Sequence, residues 1–142
     1  MAMILVSGQD LKITFKVHFM TKTARFLAAP IYGQEPDKIS VDQAIDFVRE
    51  YCNLVAGSIK KALGSFHVEA GVSLPVVTRG FDEVFFSTAK APNLSMDIWA
   101  LKSITNELKC STIIEAFNRV DLTGMADSLV EDQELQGDVE FL

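Results

Sequence analysis

The sequence predicts an α+β domain in which a long helix packs on one face of an antiparallel sheet. Three observations lead there. The segment "LKITFKVHF" alternates apolar and polar residues without a break. The segment from 41 to 63 carries helix signals at both ends. Several short β-patterned runs follow, separated by loops rich in Pro, Asn and Gly.

In chain order, Leu11, Ile13, Phe15, Val17 and Phe19 alternate with Lys12, Thr14, Lys16 and His18, the pattern of a half-buried strand. Thr21 is placed to cap a short helix, "KTARFLAA", ending before Pro30. "YGQEPDK" has the composition of a loop. Ser40 and Gln43 form a capping-box pair at the start of the long helix, and Asp42 complements its dipole. Lys60 and Lys61 are expected in its last turn, with Gly64 just beyond its end, which places the helix at about residues 41 to 63. "HVEAGVSLPVV" alternates Val68, Ala70, Val72 and Leu74, and Pro75 marks an edge or a strand end. "EVFFS" and "LSMDIWALKS" read as antiparallel neighbours joined by the loop "TAKAPN". "CSTIIEAFNRV" fits helix and strand equally.

The 142 residues suit one domain, and a chain of that length buries roughly 70% of its unfolded surface without a staple. Two scattered cysteines, Cys52 and Cys110, fit a reducing compartment better than a disulfide framework. "MAMILVSGQD" has no basic segment and too short an apolar run for a secretory signal, and no run is long enough for a membrane span. A cytoplasmic protein is the expectation. The net charge of −6 is uneven: residues 1–119 hold all 13 basic residues and 12 of the 19 acidic ones, a balance of +1. The acidic segment 120–142 is therefore expected to be separate from the 1–119 domain, as a loosely docked helix or a disordered tail. No dense basic patch points to nucleic acid.

On a helical wheel, Ile45, Val48, Cys52, Val55, Ala56, Ile59 and Leu63 share a broad apolar face, widened by Phe47, Tyr51 and Leu54. Such a helix is expected to be buried around most of its circumference. Asp46, Glu50, Asn53, Gly57 and Lys60 form a narrow stripe opposite. Most such stripes are solvated faces. Gly57 argues for more, because a glycine inside a helix costs about 1 kcal/mol relative to alanine. Its missing side chain admits a close approach, either by a partner or by a neighbouring helix of the same chain.

Other constellations are weaker. His18 and His67 have no spaced partners for zinc. Cys52 falls on the core face, and Gly57, Gly64 and Gly71 make no phosphate loop.

Asp46-x-x-x-Glu50-x-x-Asn53, followed by "LVAGSIKKAL" and then "VSLPVVTRG", resembles the CheC/CheX/FliY chemotaxis phosphatases, most closely the CheX-type branch. The resemblance covers about residues 11 to 103. That family's pattern is an acidic or Ser residue, E-x-x-N on a long helix, and a proline some 22 residues on. Here 21 residues separate Asn53 from Pro75, consistent with a one-residue deletion in "GSFHVEA".

The resemblance implies a CheC-like fold and hydrolysis of the aspartyl phosphate on a CheY-like receiver domain. It implies one site, with Glu50 contacting a receiver lysine and Asn53 orienting the attacking water. Asp46, Gly57 and Pro75 would be supporting residues. It implies no cofactor of the chain's own, the divalent metal belonging to the receiver, and a sheet that can continue across a homodimer. An asparagine amide suits such a role. It does not titrate near neutrality, yet it accepts a hydrogen bond from water and holds it in line. The alternatives are a receiver- or flagellar-switch-binding module without turnover, and a structural dimerisation domain.

Overall fold

The structure is a computed structural model that describes residues 1–79, 93–102 and 106–120. "EVFFS" and the acidic segment from 121 onward lie outside the described residues.

The described residues form β1 (Ala2–Ser7), β2 (Leu11–His18), α1 (Thr21–Tyr32), α2 (Val41–Ser65), β3 (Gly71–Val72), β4 (Val76–Val77), β5 (Asn93–Lys102) and β6 (Glu107–Ala116), with a 3₁₀ turn at Pro36–Lys38 before α2. The sheet runs β3-β1-β2-β6-β5, and β4 pairs with β1 beyond β3. Every pairing is antiparallel. This is the predicted α+β class, with α1 and α2 packed on each other and α2 against β1 and β2.

β2 is the centre of the core. Leu11, Ile13, Phe15 and Val17 are buried, with Ile4 and Val6 beside them on β1. Phe15 touches Tyr51 of α2 edge-on (5.9 Å between centroids) and Trp99 of β5 (6.1 Å). One strand residue thus ties the long helix to the far side of the sheet, and ring pairs of this kind add to area burial.

β2 is more than half-buried. Thr14 and Lys16 are also shielded, and Lys12 pairs with the buried Glu115 of β6. Polar residues remain inside because β2 lies between two long partners, and opposite charges there compensate each other.

The joint between β1 and β2 depends on Gly8. Its backbone N–H donates to the Leu11 carbonyl (2.9 Å), and a Cβ at this position would collide with the backbone carbonyl of Glu69. Only a residue without a side chain lets the two segments pass.

Three boundaries differ from the sequence expectations. α1 begins after an N-cap at Met20 with no side-chain cap, and continues through Pro30 to Tyr32. Pro30 removes the N–H that would bond the Phe26 carbonyl, and α1 ends two residues later. Gly33 then takes a left-handed conformation (φ 61°), and its N–H and that of Gln34 satisfy the carbonyls of Pro30 and Ala29.

α2 runs two residues past its expected end. Gly64 is helical, and His67 adopts the left-handed conformation (φ 58°). Lys60 and Lys61 therefore precede the last turn.

The long strand expected at "HVEAGVSLPVV" is two short pieces. Pairing of β3 with β1 (Val6 to Val72) and of β4 with β1 (Met3 to Val76) differs by one residue in register. The intervening residues form a bulge in which Ser73 replaces the regular ladder: its N–H donates to the Leu5 carbonyl (2.9 Å), and its Oγ accepts from the Leu5 N–H (3.0 Å). Pro75, which cannot donate, falls in this bulge. Leu74 is turned out and 86% exposed. "CSTIIEA" is strand, within β6.

Candidate functional site

The site is built on α2. Its start is fixed by a complete capping box: the Gln43 N–H donates to Ser40 Oγ (3.1 Å), and the Ser40 N–H donates to Gln43 Oε1 (2.9 Å). From there Ala44, Val48, Cys52, Ala56 and Leu63 face inward and are fully buried. Three of them are alanine or cysteine, so the helix lies close on its neighbours. The rotation of α2 is set by this row, and it decides what faces out.

Asp46, Glu50, Asn53 and Gly57 all face out, on one exposed strip. The outward face is broader than the stripe read from the sequence. Leu54, assigned to the flank of the apolar face, is 63% exposed, and α2 is buried on one face rather than around most of its circumference. Leu54 lies about 160° round the helix from the buried Cys52 and Ala56, nearly opposite the core face.

Within the strip, Asn53 Nδ2 donates to Glu50 Oε2 at 3.4 Å. This bond is long, so it biases the amide without locking it. With Nδ2 engaged by the carboxylate, Asn53 Oδ1 keeps its acceptor capacity unused among the described residues. Asp46 pairs with Arg49 (3.1 Å) rather than with Glu50. Arg49 is the residue the sequence reading missed. Its signal was the i, i+3 spacing from Asp46, which brings opposite charges together on a helix surface. Among the described residues Glu50 keeps only the weak amide contact, and it is exposed.

A Cβ built on Gly57 meets nothing within 4 Å. Among the described residues, no neighbouring helix requires a glycine there. Pro75 is on a different element, in the bulge at the sheet edge, so the structure gathers four of the five predicted site residues on one face and leaves the fifth on the sheet.

The layer beneath the strip is uncharged. Burial pushes the Cys52 thiol up to about 11, with the nearby Cys110 adding to the shift. Burial likewise pushes the Tyr51 phenol up to about 12, helped by its interaction with Cys110. Cys110 is itself raised by burial. A buried neutral thiol is not a nucleophile, so this buried layer supplies no nucleophile to the strip above it. Among the described residues no group of His, Cys, Asp or Glu is arranged to hold a metal ion, and no helix is long and apolar enough to cross a membrane.

Known proteins share this fold. A chemotaxis protein CheX from Vibrio vulnificus superposes with a TM-score of 0.64 at 19% identity, covering 80% of this chain and 74% of that one. A chemotactic CheC-like protein from Shewanella oneidensis MR-1 superposes with a TM-score of 0.65 at 24% identity, covering 80% of this chain and 72% of that one. At these identities the likeness establishes the fold. No curated protein matches the chain. The family model described as "Chemotaxis phosphatase CheX" matches residues 1–97, a span that contains β1, β2, both helices and the whole exposed strip. The chain therefore belongs to the CheX family of chemotaxis phosphatases.

Proposed function

We propose that this protein hydrolyses the aspartyl phosphate of a CheY-like receiver domain. The observation that carries the proposal is the geometry of Glu50 and Asn53. They share one exposed face, one turn apart, and their mutual hydrogen bond engages the Asn53 Nδ2 while its carbonyl oxygen has no partner among the described residues.

An acyl phosphate is already activated, and its transfer passes through a loose transition state. The catalyst has to place a water molecule and to hold the partner. Asn53 Oδ1 accepts a hydrogen bond from the water and aligns its oxygen with phosphorus. The new P–O bond forms as the bond to the receiver's aspartyl oxygen breaks. The aspartate carboxylate leaves, and the water's proton departs with inorganic phosphate. Glu50 accepts from a lysine of the receiver as a charge-assisted contact. The divalent metal that neutralises the phosphoryl oxygens belongs to the receiver. Gly57 leaves room for the receiver's surface one turn from Asn53.

The test is to phosphorylate receiver domains with acetyl phosphate, remove the excess, and follow decay with and without the protein. Acceleration by wild type that Glu50→Ala weakens through the apparent affinity is expected. Tight docking on a phosphorylated receiver with an unchanged decay rate would instead establish a binding module without turnover.

A homodimer is a further part of this reading. It is supported by β5, which ends the sheet among the described residues and carries Leu94, Met96 and Ile98 exposed on one face. A strand edge of that length and character is what a second copy extends.

A further inference from the structure

The helices cover one face of the sheet. α2 packs on the side where Phe15 meets Tyr51, and α1 packs on α2. Thr14 and Lys16 alternate with Phe15 and so belong to the other face, with Met3 of β1 and Glu115 of β6 in the same rows. Met3, Thr14, Lys16 and Glu115 are nevertheless buried within the single chain, Lys16 to 3% exposure. Their burial follows one diagonal of this second face. At the corners of the other diagonal Ser7 and Lys109 are exposed, and so are Leu94, Met96 and Ile98 along β5.

The buried diagonal runs between the points where the chain leaves and re-enters the described residues. Arg79 lies just past β4, on the edge beside β1, and Asn93 opens β5 on the opposite edge. Val77, Ala2, Val17, Cys110 and Trp99 form one row across the sheet. Arg79 is two residues to one side of that row, and Asn93 is six to the other. The span between them is roughly 33 Å at ordinary strand spacing and rise. The 13 residues 80–92 reach about 46 Å at most. That suffices to cross the sheet directly. It is too little to climb over α2, a cylinder about 10 Å across that touches β1, β2, β3 and β4.

We propose that residues 80–92 dock on the second face of the sheet along this diagonal, with Asp82 and Glu83 as the anion for Lys16. A lysine this deep keeps its charge only beside a carboxylate. Asp82 and Glu83 come three and four residues after Arg79, a reach of about 10–13 Å, and β2 lies two strand spacings, about 10 Å, in from β4. Phe81, Val84, Phe85 and Phe86 beside them bring the apolar surface that keeps water from Met3 and Thr14. This inference is independent of the phosphatase reading. It assigns the second face to the chain itself and leaves the α2 strip and β5 as the surfaces open to partners.

The test is the rate at which a maleimide labels cysteines placed on this face of the full chain. Thr14→Cys lies on the buried diagonal and Ser7→Cys at an exposed corner; the native Cys52 and Cys110 are buried and report any general loss of fold. Thr14→Cys should label at least about tenfold more slowly than Ser7→Cys. Adding Asp82→Asn and Glu83→Gln should raise its rate without exposing the native cysteines, because the Lys16 charge then loses its anion. Adding Lys16→Met to those changes should restore the protection. Neutralising Glu131, Asp132 and Glu134 to Gln, Asn and Gln should leave the protection as it was. Three results would overturn the proposal. Equal rates at Thr14→Cys and Ser7→Cys would mean that the face is open. Exposure on neutralising 131, 132 and 134 would make the acidic C-terminal segment the occupant. An unchanged rate after Asp82→Asn and Glu83→Gln, or no rescue by Lys16→Met, would mean that these carboxylates do not hold Lys16.

Discussion

Replacing Gly57 with alanine should make the protein more stable and a worse partner. A Cβ at this position meets no atom within 4 Å, so the substitution introduces no clash. It removes the conformational freedom that glycine has in the unfolded chain, and alanine is the best helix former. The gain in the interior of a helix is about 1 kcal/mol. For a domain of this size, that raises the thermal midpoint by roughly 2–4 °C. Differential scanning calorimetry of wild type and Gly57→Ala measures it. Affinity for a phosphorylated receiver should fall at the same time, because the methyl group stands where the partner's surface approaches one turn from Asn53. A lower midpoint would mean that Gly57 is packed against another part of the chain, and a higher midpoint with undiminished affinity would mean that nothing docks there.

Two further predictions concern the frame that carries the site. Gly8→Ala should destabilise the protein by about 1–3 kcal/mol, read by urea unfolding, because the new methyl group and the Glu69 carbonyl cannot occupy the same space and backbone must shift. Stability should fall as pH rises from about 9 towards 11. Burial raises Cys52 from its ordinary 9.0 to about 11, so in that window the unfolded chain loses a proton that the folded chain keeps. Tyr51 acts in the same direction at higher pH, from 10.0 to about 12. Thermal midpoints between pH 7 and 11 should show the fall, and Cys52→Ala should flatten its onset.

The elements that could be read from the sequence are those whose signals are local. The capping box at Ser40 and Gln43 needs no tertiary partner, and the alternation of β2 arises from its own pleat. Glu50 and Asn53 were legible for the same reason: three residues apart on a helix, they must share a face. The features not legible are set by neighbours. β1 shows no alternation because Ala2, Met3 and Ile4 are all buried, which removes the contrast between faces. The split between β3 and β4 depends on Ser73 meeting Leu5, 68 residues away. The exposure of Leu54 follows from how α2 is rotated by the row of Ala44, Val48, Cys52 and Ala56 against its neighbours. Apolar character alone could not show that Leu54 lies beyond the edge of that contact.

The Glu50–Asn53 strip stands at the centre of the account, and the decay of a phosphorylated receiver with Asn53→Ala in place of wild type tests it most directly. Asn53 is exposed, and its side chain's one hydrogen bond among the described residues is the 3.4 Å contact to Glu50, so the variant should fold as wild type does. Loss of a water-orienting amide should lower the catalysed rate by about 10²-fold or more, while binding of the receiver is largely retained. Wild-type acceleration by Asn53→Ala would contradict the account.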